Sequence, residues 1–130
     1  IIDVMNRVRG PFNVNAAALA AAEAAVGDKS MIDKAIAHND QWLNWTSEEI
    51  RDLGLKVTPS VGNFILIHFD DKPGKTAGDA DAFLTARGFV LRRVVPYGLP
   101  NAIRMTIGTE EACKGTVAAL AEFLSQGDQK

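Results

Sequence analysis

The chain has 130 residues, of which 47% are hydrophobic and 23% charged, and its formal net charge is -2 at pH 7. This length suits a single domain with a substantial hydrophobic core. The charge argues against a nucleic-acid interface, which needs a basic patch, and no apolar run approaches the length of a membrane span. We therefore expect a globular protein that neither binds nucleic acid nor enters a membrane.

The N-terminus and the cysteine content indicate a cytoplasmic chain. The first residues lack the charged start and the apolar core of a signal peptide. Cys113 is the single cysteine and cannot form an internal disulfide, so we expect a reducing compartment and a buried Cys113. Because the first residue is Ile1, we expect either a processed chain or a fragment of a longer protein.

The N-terminal segment predicts a loop followed by a short helix. Residues 1–13 mix charges with a Gly-Pro pair and are predicted as an approach loop with a frayed helical start. Asn15 is a good N-cap for an Ala-rich helix over 16–26, which Gly27 ends. The small side chains allow a close approach, so we expect this helix to lie against a larger body.

A second, longer helix is predicted from about Ser30 to Leu53, with Asp28 as an alternative cap. At about 1.5 Å per residue it would be roughly 36 Å long, which is long for a domain of this size. Such a helix spans from one body to another or packs along its own sheet, and the pattern favours neither interpretation. Its apolar face is formed by Ile32, Ile36, Leu43, Ile50 and Leu53.

The second half of the chain alternates between predicted strands and helices. The run from Phe64 to Phe69 is apolar nearly throughout, which is typical of a strand covered on both faces. The other predicted elements are a short strand over 56–59, a helix over 79–87, a strand over 89–92, a strand over 103–107 and a helix over 110–124.

This order of elements predicts an α+β fold, with a small mixed or antiparallel sheet covered by helices and a long N-terminal helix. We expect the strand that contains Arg104 to lie between the strands over 64–69 and 89–92, antiparallel to each. The strand-helix-strand unit is expected to form a right-handed crossover.

The stretch around Arg104 is the strongest candidate for a functional element. Apolar residues alternate there with Arg104, Thr106 and Gly108, which predicts a strand with one apolar face. Arg104 then lies on the face opposite the core, where a cation on a rigid strand is well placed to bind an anion. A solvated arginine is the alternative, and the pattern alone slightly favours that alternative.

The sequence shows no catalytic constellation. His38 and His68 are isolated, with no cysteine or carboxylate at metal-ligand spacing, so we expect no metal site. No phosphate-binding loop and no nucleophile elbow is found. The remaining candidates are Arg92, Arg104 and Asn63, at or beside predicted strands, and arginine matches carboxylate and phosphate oxygens. These residues predict an anion site without an acid, base or nucleophile.

Four stretches of the chain, at 9–15, 57–64, 90–92 and 103–111, carry a resemblance to a known family. They are similar, in the same order, to the C-terminal part of histidinol-phosphate aminotransferases, which are class I/II pyridoxal-phosphate aminotransferases of fold type I. The similarity covers nearly the whole chain, and the stretches at 57–64 and 103–111 are fairly specific together. The resemblance implies the smaller domain of such an enzyme, tied by a long helix to a large cofactor domain.

The resemblance also implies roles for the candidate residues. Arg104 matches the arginine that pairs with the substrate's α-carboxylate or with the corresponding end of the amino donor. Arg92 matches a second arginine, expected to contact the substrate's phosphate or distal acid. Arg93 is a rival for that role, because a one-residue slip would exchange the faces of the two side chains. Asn63 matches an asparagine near the mouth of the active site.

The chain departs from the family in one large respect, because no lysine has the setting of the family's Schiff-base lysine. The resemblance therefore implies that pyridoxal phosphate is bound by a large domain outside this chain and that the isolated chain is inactive. It further implies amino-acid and 2-oxo-acid substrates and a homodimer. Residues 1–27 would form a connecting segment with the Ala-rich helix, and residues 28–130 the small domain.

Other functions stay open at this point. A non-catalytic regulatory module that binds an amino acid is compatible with the α+β pattern and the arginines, and so is a structural domain with solvated arginines. Aromatic-amino-acid aminotransferases and threonine-phosphate decarboxylases share the fold of the resembled family, so their substrates are alternatives to histidinol phosphate.

Overall fold

The structure is a computed structural model that describes residues 1–10 and 14–126. Residues 11–13, which are part of the predicted approach loop, and residues 127–130 lie outside the described residues. The chain divides into two compact units, Ile1–Ile36 and Ala37–Lys130. The candidate site residues all belong to the second unit.

The first unit is helical. Helix α1 covers Ile2–Val8, which agrees with a helical start before the approach loop. Helix α2 covers Ala16–Gly27 and buries none of its residues. The Asn15 side chain accepts a hydrogen bond from the Ala18 amide at 2.8 Å, so Asn15 caps α2 as predicted.

Helix α3 covers Lys29–Asp52 and contributes to both units. Asp28 Oδ1 accepts a hydrogen bond from the Met31 amide at 3.0 Å, so the cap is Asp28 rather than Ser30. An aspartate at this position also interacts favourably with the positive end of the helix dipole.

The predicted apolar face of α3 is buried only in its C-terminal half. Leu43 and Ile50 are buried in the core of the second unit, whereas Ile32 and Ile36 are exposed. The change from exposed to buried residues falls near the boundary between the two units, after Ile36. One continuous amphipathic pattern therefore contains two structurally different halves.

The second unit is built on a four-stranded antiparallel sheet. The strand order is β1-β2-β4-β3, so β4 lies between β2 and β3 and is antiparallel to both, as predicted. The strands are β1 (Lys56–Thr58), β2 (Phe64–His68), β3 (Arg92–Arg93) and β4 (Ala102–Thr106).

Helices α4 (Ala77–Thr85) and α5 (Glu110–Ser125) complete the α+β fold. They share one core with the C-terminal half of α3 and with the buried residues of the strands. Cys113 is fully buried in α5, as expected. The largest fully buried side chains of this core include Ile50, Ile65, Ile67, Leu84, Ile103 and Leu120.

Strand β2 differs from the expectation of a strand covered on both faces. Ile65 and Ile67 are buried, whereas Phe64 is 36% exposed and Leu66 and His68 are only half-buried. The core lies on the face of Ile65 and Ile67, and the other face is less well covered. The apolar run predicted that both faces of β2 are buried, but only one is, because Phe64 and Leu66 lie on the face opposite the core.

The predicted strand over 89–92 is also shorter than expected, since only Arg92 and Arg93 pair with β4. The reason lies in the packing of Phe89 on α5. A Cβ atom on Gly115 would lie only 2.7 Å from Phe89 Cζ, so the ring rests directly on the helix backbone. The segment before β3 thus packs against α5 and does not pair with β4.

Candidate functional site

The register of the sheet makes Arg92 and Arg104 direct cross-strand partners. Side chains that are paired in this way project from the same face of a sheet. Leu66 is the partner of Arg104 on the other neighbouring strand, and Phe64 is two residues away from Leu66. We call the face that carries Phe64, Leu66, Arg92 and Arg104 the arginine face.

Arg104 is held in place without an ionic partner. Its guanidinium carbon lies 4.9 Å from the centre of the Phe64 ring, within the range of a cation–π contact. Its Nε atom is buried and finds no hydrogen-bond partner among the described residues. An unpaired buried donor is costly, and Arg93 Nε is in the same condition, so this atom alone does not single out Arg104 as a ligand-binding residue.

Arg92 is exposed and donates from Nη2 to the Tyr97 hydroxyl at 3.4 Å, which is a long hydrogen bond. In residues 1–10 and 14–126, no acidic side chain forms an ion pair with Arg92 or Arg104. Like charges directly opposite each other are destabilising in a sheet. The pair therefore suits an anionic ligand, and guanidinium groups bind carboxylates and phosphates well.

Arg93 lies on the opposite face, because its cross-strand partner is the buried Ile103. It donates from Nη2 to the Pro100 carbonyl at 3.0 Å. Its Nη1 atom is 3.1 Å from the position that a Cβ on Gly78 would take. Arg93 thus connects β3 to the following loop and to α4, and the register brings Arg92, not Arg93, beside Arg104.

Asn63 lies at the end of the sheet, immediately before β2, and is exposed. Its carbonyl accepts a hydrogen bond from the Ile107 amide at 2.8 Å. Asn63 is three residues before Leu66, the partner of Arg104, so it is about 10 Å along the strand from Arg104. The structure thus brings the two arginines together and leaves Asn63 at the edge of their surroundings.

A groove of about 460 Å³ opens beside the arginine pair. It forms where the segment that contains Phe89 and Leu91 diverges from β4, and Thr116 of α5 contributes to its wall. A larger cleft of about 540 Å³, next to Phe83 and Phe123, contains none of the predicted site residues. The groove at the arginines is the better candidate because its lining includes the unpaired charges.

Two residues of the candidate site, Phe64 and Tyr97, were not predicted. Strand alternation places Phe64 on the same face as Leu66, but only the register of β2 and β4 brings this face beside Arg104. Tyr97 lies in a short 3-10 helix, Val95–Tyr97, inside a region that has no regular period. No sequence signal links Tyr97 to Arg92.

The histidines have structural partners rather than metal-binding neighbours. His38 donates from Nε2 to the Gly108 carbonyl at 2.8 Å, and His68 Nε2 lies 2.7 Å from the Thr58 hydroxyl. In the part of the chain that the structure describes, no group of three or more metal-ligating side chains is found. No helix among these residues combines the length and the apolar character needed to cross a membrane.

The described residues do not by themselves fit pyridoxal phosphate. Lys56 is the one lysine in the sheet as described, and β2 separates its strand from Arg104, a distance of about 10 Å or more across the strands. Lys72 and Lys114 form ion pairs with Asp70 and Glu110 at 3.1 and 2.6 Å. The arrangement can bind and orient an anion, and it offers no nucleophile beside the arginines.

Comparisons with known proteins agree with the resemblance noted in the sequence. The model of the aminotransferase class I and II family matches residues 1–120. Two curated relatives, from Nitrobacter hamburgensis and Rhodopseudomonas palustris, are histidinol-phosphate aminotransferases that are 56% and 57% identical over 126 residues. Each match covers 97% of this chain and 34% of the relative, so the chain spans about a third of the length of these relatives.

A solved structure supports the same assignment at the level of the fold. A Burkholderia pseudomallei protein, assigned as an aminotransferase, superimposes with a TM-score of 0.74 at 30% identity. The similarity covers 95% of this chain and 37% of that protein. The match of the family model over most of the sequence, together with this fold, shows that the chain belongs to the aminotransferase class I and II family.

Proposed function

We propose that the chain is the C-terminal, smaller domain of a pyridoxal-phosphate-dependent aminotransferase whose substrate is histidinol phosphate. In this proposal Arg104 binds the α-carboxylate of the amino-acid substrate or the corresponding end of the donor. Arg92 binds the phosphate or the distal acid, and Asn63 lies at the mouth of the site. The observation that carries the proposal is the cross-strand pair of Arg92 and Arg104, which has no acidic partner among the described residues.

The two arginines match the chemistry of such a reaction. Transamination between histidinol phosphate and a dicarboxylic amino acid presents anionic groups at two positions of its substrates, and the arginine face carries two guanidinium groups. The substrate class is also supported by the names of the relatives. A dicarboxylic donor presents two anionic groups whichever second substrate it is paired with, so the preference for histidinol phosphate rests on the names of the relatives.

The chemistry of this chain is binding and orientation. Pyridoxal phosphate supplies the electron sink when it is bound, and the lysine that holds it would come from the rest of the parent enzyme. Arg104 would fix the carboxylate end of the substrate, which converts free rotation into one reactive orientation. Its partly buried setting strengthens this contact, because charge-assisted hydrogen bonds are stronger away from water.

The organisation of the parent enzyme follows from this proposal. Residues 1–27 would connect the large cofactor domain to the small domain, which would comprise residues 28–130. The enzyme would be a homodimer in the cytoplasm, and the isolated chain would be inactive. The single buried cysteine supports a reducing compartment.

The decisive experiment uses the full-length parent enzyme with Arg104→Ala and Arg104→Lys. Loss of a charge-assisted contact should lower kcat/KM for the carboxylate substrate by about 10- to 100-fold, with partial retention for lysine. Arg51→Ala, an exposed arginine of α3, is the matched control and should behave as the wild type. An unchanged kcat/KM in Arg104→Ala would contradict the proposed role.

Calorimetric titration of the isolated chain provides a second test. The proposed domain should bind free amino acids only weakly, because the cofactor and the rest of the site are absent. Tight binding of an amino acid by the isolated chain would instead support a regulatory module. Detectable transamination by the isolated chain would contradict the prediction that it is inactive.

A further inference from the structure

Two adjacent polar residues of α3 contact the same end of the sheet. His38 donates from Nε2 to the Gly108 carbonyl at 2.8 Å, and Asn39 donates from Nδ2 to the Gly62 carbonyl at 3.2 Å. The two acceptors are 70 and 23 residues away from their donors in sequence. Both bonds are therefore tertiary contacts rather than local helix contacts.

The two accepting glycines flank the strands that carry the site. Gly62 immediately precedes Asn63, and Gly108 follows Ile107 at the exit of β4. The Ile107 amide donates to the Asn63 carbonyl at 2.8 Å and closes this end of the sheet. The entrance of β2 and the exit of β4 are thus joined to each other, and each is joined to α3.

The environment of the donors indicates that they are held in defined positions. The His38 ring lies 6.3 Å from the ring of Trp42, which is buried in the core one turn further along α3. Asn39 is half-buried, unlike most polar residues of this helix. A carbonyl oxygen can only accept, so the His38 bond requires a proton on Nε2.

We propose that His38 and Asn39 are positioning residues that set the substrate affinity of the site by holding the Asn63 and Ile107 end of the sheet against α3. The inference rests on the proposed function, because it takes Arg104 and Asn63 to be substrate-binding residues. Arg104 lies in β4, three residues before Ile107, which directly follows the strand, so we expect a displacement of the exit of β4 to reach Arg104. A binding group that is displaced from its ligand loses part of its hydrogen-bond energy, so the affinity for the substrate falls.

The test uses the full-length parent enzyme and variants that remove the two donors. Asn39→Asp also adds a negative charge, which its control Asn44→Asp reproduces. Asn39→Asp keeps the shape of the side chain and removes its N–H donor, and His38→Phe keeps a ring beside Trp42. His38→Gln retains a donor and should restore the wild-type properties. Asn44→Asp makes the same chemical change as Asn39→Asp at an exposed position of α3 and is the matched control.

We expect Asn39→Asp and His38→Phe each to raise KM for the amino-acid substrate by about 3- to 10-fold, the size of one lost hydrogen bond. The value of kcat should change by less than about twofold, since neither residue takes part in the chemistry. Hydrogen exchange at the Ile107 amide, measured on the same variants, should become faster. His38→Gln and Asn44→Asp should match the wild type in all three measurements.

Each outcome is decisive. Faster exchange at Ile107 with an unchanged KM would show a purely structural role and overturn the inference. If Arg104→Ala raises KM and both donor variants do not, the inference fails while the proposed function stands. If Arg104→Ala itself leaves KM unchanged, the proposed function fails first. Asn39→Asp is isosteric and decides the matter even if His38→Phe does not fold.

Discussion

Arg92 and Arg104 face each other across neighbouring antiparallel strands, and both guanidinium groups are without an acidic partner among the described residues. A like-charged pair in this position destabilises a sheet by roughly 0.2–1 kcal/mol. An acidic side chain nearby would neutralise this repulsion, but it would also compete with an anionic ligand for the guanidinium groups. Both charges are therefore free of acidic partners among the described residues, which supports the proposed binding of an external anion.

The first prediction concerns the stability of the 130-residue chain in the presence of phosphate. Phosphate that binds the arginine pair should raise Tm by roughly 4 °C at about ten times its Kd, at constant ionic strength maintained with chloride. Arg92→Ala and Arg104→Ala should each remove most of this increase, whereas the control Arg51→Ala should retain it. Scanning calorimetry measures the effect, and an equal shift in all variants would indicate non-specific stabilisation.

The second prediction separates Arg92 from Arg93. In the parent enzyme, Arg92→Ala should raise KM for the phosphorylated substrate by about 10-fold or more and leave the free energy of unfolding nearly unchanged. Arg93→Ala should lower the free energy of unfolding by about 1–2 kcal/mol, because it removes the bond to the Pro100 carbonyl. Steady-state kinetics and urea unfolding of both variants test this, and the reverse pattern would assign the ligand contact to Arg93.

The third prediction concerns the contact between Gly115 and Phe89. A methyl group at Gly115 would lie 2.7 Å from Phe89 Cζ, so Gly115→Ala should destabilise the chain by about 1 kcal/mol despite its gain in helix propensity. In the Phe89→Ala variant, Gly115→Ala should stabilise the chain by about 1 kcal/mol, since the clash is gone and only the gain in helix propensity remains. Urea unfolding of the double-mutant cycle measures both values. The same sign in both backgrounds would contradict the prediction.

The fourth prediction concerns acid unfolding and the capping box of α4. Thr76 donates to the Asp79 carboxylate from its hydroxyl at 2.7 Å and from its amide at 3.0 Å, and these bonds hold the pKa of Asp79 below its usual value of 3.8. Because the folded-state pKa is lower than the unfolded-state pKa, the carboxylate stabilises the fold above its usual pKa. This stabilisation is lost as the pH falls through the folded-state value.

Asp79→Asn should therefore be less stable than the wild type at about pH 6, and the difference should shrink as the pH falls below 3.8. Thermal unfolding monitored by circular dichroism across this range measures the difference. Thr76→Val removes the hydroxyl and should reduce the pH dependence while the carboxyl group is still present. If the difference in stability between Asp79→Asn and the wild type were constant with pH, the charge of Asp79 would not contribute to the stability of the fold.

Several parts of the fold were predictable because local chemistry decides them. Asn15 and Thr109 accept hydrogen bonds from amides three residues later, which is the geometry that makes these residue types good caps. The alternation around Arg104 correctly predicted a strand with one apolar face, because Ile103 and Met105 are buried. These features depend on a few neighbouring residues, so sequence patterns are sufficient to find them.

Other features depend on contacts between distant residues and were not predictable. The choice between Arg92 and Arg93 required the register of β3, because two adjacent residues of one type give no alternation. The shortening of β3 depends on Phe89 meeting Gly115, which is 26 residues away in the sequence. The contacts of His38 and Asn39 with the sheet likewise depend on the packing of α3 in the second unit.

The different positions of β3 and β4 in the sheet have an evolutionary consequence. β4 has hydrogen-bonded neighbours on both sides, whereas β3 is a two-residue edge strand followed by the loop that Arg93 holds at Pro100. Loops tolerate changes in length better than central strands do. An insertion or deletion in that loop would therefore shift Arg92 on the edge strand, whereas the two neighbours of β4 would keep Arg104 in place. Descendants of this fold could therefore acquire new substrates by altering the loop while they preserve one constant anion contact.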